Sequence, residues 1–179
     1  MGHALNIEHP HYTFDDYKQW EGRWELIEGT AYAMSPAPSF SHQRVSNKIA
    51  RYLDIALDNC QKCQVLLPVD WRIDEDTVVQ PDNLVVCHPV SGAYLTRAPA
   101  LIFEVLSKST ALKDQNLKFS IYEREGVKYY VMVNAEDRVA KIYQIHDGRY
   151  IKLCDVADES VDFDLGECSI HFDFSLIWV

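Results

Sequence analysis

Leu101-Ile102-Phe103-Glu104-Val105-Leu106 is the most apolar run of the chain. It leads through Ser107-Lys108-Ser109-Thr110 into a helical pattern that ends at Glu125-Gly126, and a second apolar run, Tyr129-Tyr130-Val131-Met132-Val133, follows. Short apolar runs with β-branched and aromatic members read as buried strands. Serine and threonine ahead of a periodic stretch read as a helix cap. They predict a helix from about Ala111 to Glu125, which Gly126 ends. Strand, helix and strand of this length make a parallel crossover, right-handed by the general rule. The expected fold class is therefore α/β in the mixed α+β sense, a mixed central β-sheet flanked by helices.

Working outward, Thr13-Phe14-Asp15-Asp16-Tyr17-Lys18-Gln19-Trp20 reads as a short helix capped by Thr13, with Asp16 completing a capping box. Arg23 to Met34 reads as a hairpin turning at Glu28-Gly29, an N-terminal extension of the core, and the prolines of Ser35-Pro36-Ala37-Pro38-Ser39 break the chain after it. From Ser41 to Asp58, Val45, Ile49, Tyr52, Leu53, Ala56 and Leu57 recur at helical steps, and His42 lies on that apolar face at the N-terminus. Cys63 to Ile73 reads as one strand, Thr77 to Gln80 as another, and Asn83 to Cys87 as a third. Beyond the crossover, Val139 to Ile145 and Tyr150 to Leu153 form a hairpin over Asp147-Gly148. Ser169 to Phe174 is a last strand, and Leu176-Ile177-Trp178-Val179 a docked apolar end. With no repeat or linker, residues 1–179 are expected to form a single domain.

Composition bounds the function. The chain has 179 residues, 47% of them apolar, which is enough to build a full core. No apolar run approaches the roughly 20 residues that span a bilayer, and Met1-Gly2-His3-Ala4-Leu5-Asn6 is no signal peptide. A soluble cytoplasmic protein with no membrane partner is expected. Five cysteines, Cys60, Cys63, Cys87, Cys154 and Cys168, are then expected as reduced thiols. Cys60-Gln61-Lys62-Cys63 has no second ligand pair for zinc and lies in a polar turn, so it reads as a coincidence. The formal charge of −10 runs against binding of a phosphate backbone, which favours a basic surface. Many of the acids, however, sit late in the chain, at Asp155, Asp158, Glu159, Asp162, Asp164, Glu167 and Asp173.

The chemistry rests on Asp82, Glu104 and Lys118. Strand parity puts Glu104 on one face with Ile102 and Leu106. A carboxylate pointing into an apolar face needs a cation, whether a metal, an arginine or a lysine. A structural ion pair with Lys118 alone would also serve. On the following helix, Asp114, Lys118, Tyr122 and Glu125 share a face, so Asp114 to Lys118 is a favourable i, i+4 pair. Leu117 and Ile121 put Lys118 at the border of the buried side. Asp82 opens an apolar strand after Pro81. Alone it would be a turn residue, but two acids at such positions can be brought side by side.

These residues resemble a family. Pro81-Asp82, Glu104-Val105-Leu106 and Lys118 are similar to the PD-(D/E)xK nuclease superfamily, and most of all to its Uma2 branch (DUF820), a restriction-endonuclease-like group abundant in cyanobacteria. Trp24-Glu25-Leu26-Ile27-Glu28-Gly29, Met34-Ser35-Pro36-Ala37-Pro38, Ser41-His42-Gln43-Arg44 and Tyr122-Glu123-Arg124-Glu125-Gly126-Val127 carry the resemblance further, so it covers most of the chain. The simple superfamily pattern has lysine where this chain has Leu106, and the resemblance implies that Lys118 replaces it from the helix. It also implies a restriction-endonuclease-like core, with Asp82, Glu104 and the Val105 backbone carbonyl holding Mg²⁺ or Mn²⁺, hard ions that suit oxygen ligands. Lys118 would orient a water or stabilise developing charge. Glu25, His42, Asp114 and Tyr122 are second-tier candidates as outer ligands or proton carriers. For His42, a hydrogen-bonded core histidine is an equal alternative.

The implied function is metal-dependent hydrolysis of phosphodiester bonds with DNA as partner. Two alternatives stay open, a catalytically silent binding protein of this fold and an oligomeric scaffold. For the latter, Tyr143, Tyr150, Phe172, Phe174 and Trp178 would form the interface of a homodimer.

Overall fold

The computed structural model describes residues 10–34, 38–106 and 113–179, for 113–115 the backbone only. The expected cap at Ser107–Thr110, the chain break at Ser35–Ala37 and the N-terminal reading of Met1–Asn6 lie outside the described residues. The order is α1 (Phe14–Tyr17), β1 (Trp24–Ile27), β2 (Thr30–Ala33), α2 (Phe40–Leu57), β3 (Gln64–Leu66), β4 (Trp71–Arg72), β5 (Val78–Val79) and β6 (Asn83–Val86). It continues with β7 (Leu101–Leu106), α3 (Lys113–Arg124), β8 (Tyr129–Asn134), β9 (Val139–His146), β10 (Arg149–Val156), β11 (Ser160–Asp164), β12 (Ser169–Asp173) and a 3₁₀ turn, Phe174–Leu176.

Six strands form the central sheet in the order β10-β9-β8-β7-β6-β3. It is mixed as expected, since β7 and β8 run parallel across α3 while β6 and β9 pair antiparallel on either side. A second sheet, β2-β1-β5-β4, holds the N-terminal hairpin. Glu28 and Gly29 turn that hairpin with φ of 48° and 74°, the left-handed pair a two-residue turn requires. Cys63 to Ile73 is not one strand. Its start, β3, pairs with β6 in the central sheet, and its end, β4, pairs with β5 in the second. Pro68 between them lacks the N–H that a continuous ladder needs. β11 was not expected. It pairs with β12 in a two-stranded sheet.

Alternation along β7 divides the core. Leu101, Phe103 and Val105 face α2, where Val45, Ile49, Leu53 and Leu57 are buried. Phe103 also meets Phe163 of β11 and Phe172 of β12, with ring centroids 6.1 and 5.2 Å away. Ile102 belongs to the opposite cluster with Ile121, Tyr122 and Tyr130, and Glu104 projects on that side. Each of these buried apolar side chains contributes about 1.5–3 kcal/mol. Phe172, Phe174 and Trp178 are core residues, and Tyr143 and Tyr150 pack around Phe119. Phe172, Phe174 and Trp178 are therefore interior rather than part of an exposed patch, while Tyr143 and Tyr150 remain half-buried.

The cysteines correct a second expectation. Cys60 is bonded to Cys168 and Cys63 to Cys87, with Cα separations of 6.0 and 4.0 Å, and Cys154 is the one free thiol. Gln64 pairs with Val86, so Cys63 and Cys87 face each other one step along that ladder. The two halves of the Cys-X-X-Cys thus serve different partners, which chain spacing alone does not reveal.

Candidate active site

Chain geometry brings the predicted residues together where the second sheet meets the central one. Asp82 ends the passage from β5 to β6, and Asn83 pairs with Phe103, so Asp82 lies beside Glu104 and Val105. The Val105 amide donates to Asp82 Oδ2 at 2.9 Å. A strand residue presents its N–H and C=O to the same side, so the Val105 carbonyl faces the Asp82 side as well. His42, at the head of α2, makes a 3.1 Å contact between its Nε2 and the same Oδ2. Ser46, one turn on, donates to buried Asn83 Oδ1 at 2.9 Å and so pins the helix to β6.

Glu104 receives its partners from α3. Lys118 Nζ donates to Glu104 Oε1 at 3.1 Å, and the Tyr122 hydroxyl donates to the same oxygen at 2.7 Å. Glu25, projecting from β1, sits 2.8 Å from Lys118 Nζ through its Oε1, which also accepts the Gln80 amide at 2.7 Å. Lys118 is 9% exposed, so it is fully inside the structure and not at the border of its helix face. Its partners among the described residues are Glu25 and Glu104; the expected pair with Asp114 falls on a side chain outside the described residues.

The electrostatics follow from burial. Glu104 is pushed up to about 8, first by loss of solvent and then by the charges of Asp82 and Glu25, against the pull of Lys118. Burial opposes the Lys118 charge, but Glu104 and Glu25 hold its ammonium well above the usual lysine range. Burial also opposes ionised Asp82, yet hydrogen bonding and charge from His42, then Lys118, keep its carboxyl below the ordinary value. His42 is raised for the reciprocal reason, against its own burial. Burial and the Glu104 charge raise the Tyr122 hydroxyl well above its normal range, so it stays a donor.

A divalent cation fits this donor set. Three carboxylates face one ammonium, an excess of negative charge that a cation would offset. Among the described residues, protein donors reach one oxygen of each carboxylate, Asp82 Oδ2, Glu104 Oε1 and Glu25 Oε1. Asp82 Oδ1 and Glu104 Oε2 accept no bond among the described residues and suit a hard cation. No three His, Cys, Asp or Glu side chains among the described residues form a metal cage. Sequence reasoning missed Gln80, Ser46 and Asn83, which act by positioning. Only Asn83 left a signal, as a polar residue opening an apolar strand.

Likeness to known proteins bears on the fold and the family. A crystal structure from Anabaena variabilis, a "putative nuclease belonging to DUF820", superposes with a TM-score of 0.77, covering 93% of this chain and 97% of that one at 15% identity. An uncharacterized protein of Synechocystis sp. is 27% identical over 157 residues, 82% of this chain and 81% of the relative. The Uma2 family model, described as "Putative restriction endonuclease", matches residues 14–163. That match covers most of the chain, which therefore belongs to the Uma2 family.

Proposed function

We propose that this protein is a metal-dependent nuclease that hydrolyses phosphodiester bonds. The observation that carries the reading is the convergence of Glu104, Lys118 and Glu25 beside Asp82 and the Val105 backbone. Asp82, Glu104 and the Val105 carbonyl would hold Mg²⁺ or Mn²⁺. When bound, the ion supplies a water of lowered pKa and neutralises charge on the phosphate. Lys118, locked between two carboxylates, keeps a cation where negative charge develops. Tyr122 and Gln80 hold Glu104 and Glu25 in place, and His42 with the Val105 amide orients Asp82 and keeps it ionised.

The net charge of −10 is compatible with a nucleic-acid substrate because of where the late acids lie. Asp162, Asp164 and Asp173 belong to β11 and β12, which pack through Phe163 and Phe172 on the Phe103 side of the central sheet. Glu104 projects on the other side. The family's description and the "putative nuclease" of A. variabilis point the same way. A calorimetric titration with Mg²⁺ or Mn²⁺ should give heat for the wild type and none for Asp82→Ala/Glu104→Ala. Silence from the wild type sinks the metal site. With binding established, plasmid nicking should vanish in Lys118→Ala, and unchanged nicking would assign the activity elsewhere.

A further inference from the structure

A cavity of about 310 Å³ opens at one end of the second sheet, lined mainly by aromatic rings: Phe14, Tyr17, Trp20, Trp24 and Tyr94, with Asp70 and Lys18 among them. The rings are mutually braced. Trp20 lies 5.5 Å from both Tyr17 and Trp24, and Phe14 lies 5.1 Å from Tyr94. Trp20, Trp24, Tyr17 and Tyr94 are only half-buried, so faces of a braced aromatic set remain open to a ligand.

Register places this cavity at the same end of the second sheet as Glu25 but on its other face, since Trp24 and Leu26 alternate with Glu25 and Ile27. In the second sheet Leu26 pairs with Val78 and Trp71 with Val79, so Trp24, Gln80 and Asp70 share one end of it. Gln80 joins the two sites. Its amide donates to Glu25 Oε1 at 2.7 Å and its side chain donates to Asp70 Oδ1 at 2.9 Å. Two residues on is Asp82, no more than about 7 Å away between Cα atoms. The Arg23 guanidinium donates to Gln80 Oε1 and is in no ion pair among the described residues, which leaves a cation at the rim that can take a phosphate.

We propose that this cavity is a base-binding subsite, which receives one unpaired nucleobase of the strand whose phosphate lies at Asp82 and Glu104. The inference rests on the nuclease reading above. Flat rings with open faces favour stacking, and a base can reach them only out of a duplex. Asp70, acceptor-only when ionised, selects a base edge rich in donors. Guanine presents adjacent N1–H and N2–H groups that match a carboxylate, whereas thymine presents its single N3–H between two carbonyl oxygens that Asp70 would repel. Gln80 and the Tyr17 hydroxyl both engage the Asp70 carboxylate, and its two oxygens keep further lone pairs for a base edge. Arg23 favours a nucleotide over an organic cation, the other ligand such a cage could hold.

The test is tryptophan quenching in EDTA by dGMP, dTMP and choline. Trp71 and Trp178 are buried, so quenching reports Trp20 and Trp24. The wild type and Glu104→Gln should both be quenched by dGMP in the millimolar range, about tenfold more tightly than by dTMP, and not by choline. Asp70→Asn should erase the preference while retaining weak stacking, and Trp20→Ala should abolish binding. If Trp20→Ala fails to fold, Asp70→Asn alone decides. Equal quenching by choline, silence from both nucleotides, or an unchanged preference in Asp70→Asn overturns the proposal. Chelation removes cleavage from the readout. A silent pocket in a protein that still nicks plasmid therefore refutes the subsite alone, and quenching in a protein that never nicks refutes the nuclease alone.

Discussion

Replacing Glu104 by glutamine should stabilise the protein near neutral pH, although it removes a central site residue. Burial pushes the Glu104 carboxyl to about 8 from an ordinary 4.5. A carboxyl whose folded pKa is raised adds stability in full below about 4.5, and that stability drains as pH rises toward about 8. Each unit is worth about 1.4 kcal/mol, so by pH 7 the wild type has lost up to about 3 kcal/mol that Glu104→Gln never loses. Glutamine keeps an oxygen for the 3.1 Å bond from Lys118 and the 2.7 Å bond from Tyr122, so the geometry survives. For a chain of this size about 3 kcal/mol is about 6–12 °C in Tm. Thermal unfolding in EDTA at pH 5, 6, 7 and 8 should show the variant gaining on the wild type at each step. Mg²⁺ at pH 7 should narrow the gap by stabilising the wild type only. Parallel pH profiles for the two proteins would refute the assignment of a raised, charge-starved carboxyl.

Lys118→Met should behave oppositely, costing about 3–5 kcal/mol in urea titrations, because it leaves the Glu25 carboxylate buried without its cation and takes a donor from Glu104. Part of that loss should return on adding Mg²⁺. Gly29→Ala should cost about 1–2 kcal/mol by thermal melting, since φ is 74° there and an added Cβ would come within 2.1 Å of the His11 ring. Peptide mapping without reductant should find Cys60 joined to Cys168 and Cys63 to Cys87, with Cys154 alone alkylated. Reduction should destabilise by about 3–5 kcal/mol per bridge, more for the one spanning 108 residues than for the one spanning 24.

The crossover was legible because its signals are local. β7, α3 and β8 each carry their own periodicity, and parity along β7 correctly put Glu104 with Ile102 and opposite Phe103. The same locality made Asp82, Glu104 and Lys118 stand out as charges in apolar company. The rest depends on contacts distant in sequence. That Glu25 of the hairpin would meet Lys118 is decided by how the second sheet docks. The disulfide of Cys60 and Cys168 arises from α2 packing near β12, which no spacing encodes. Lys118 was expected at a helix border because apolar neighbours on one side say nothing of what covers the other. Here β1 covers it and carries the partner carboxylate. β11 escaped notice because Val161 and Phe163 are its only apolar residues among acids, a pattern that also fits an exposed loop.

Moving the lysine from the strand to the helix changes more than its address. At the position of Leu106 a lysine would belong to the same strand as Glu104, and its charge would be available however α3 or the second sheet were placed. From α3 the ammonium reaches Glu104 of the central sheet and Glu25 of the second sheet together, at 3.1 and 2.8 Å. The three elements are thereby held by one charge, which is buried and costly unless both carboxylates arrive. The cluster is complete only when the hairpin sheet, the crossover helix and the central sheet have docked. Gln80 extends the same dependence outward, because its amide serves Glu25 while its side chain serves Asp70 in the aromatic cavity. A change in how the second sheet sits would then move the Lys118 partner and the cavity together. The hairpin that looked like an extension of the core is, in physical terms, one wall of the site.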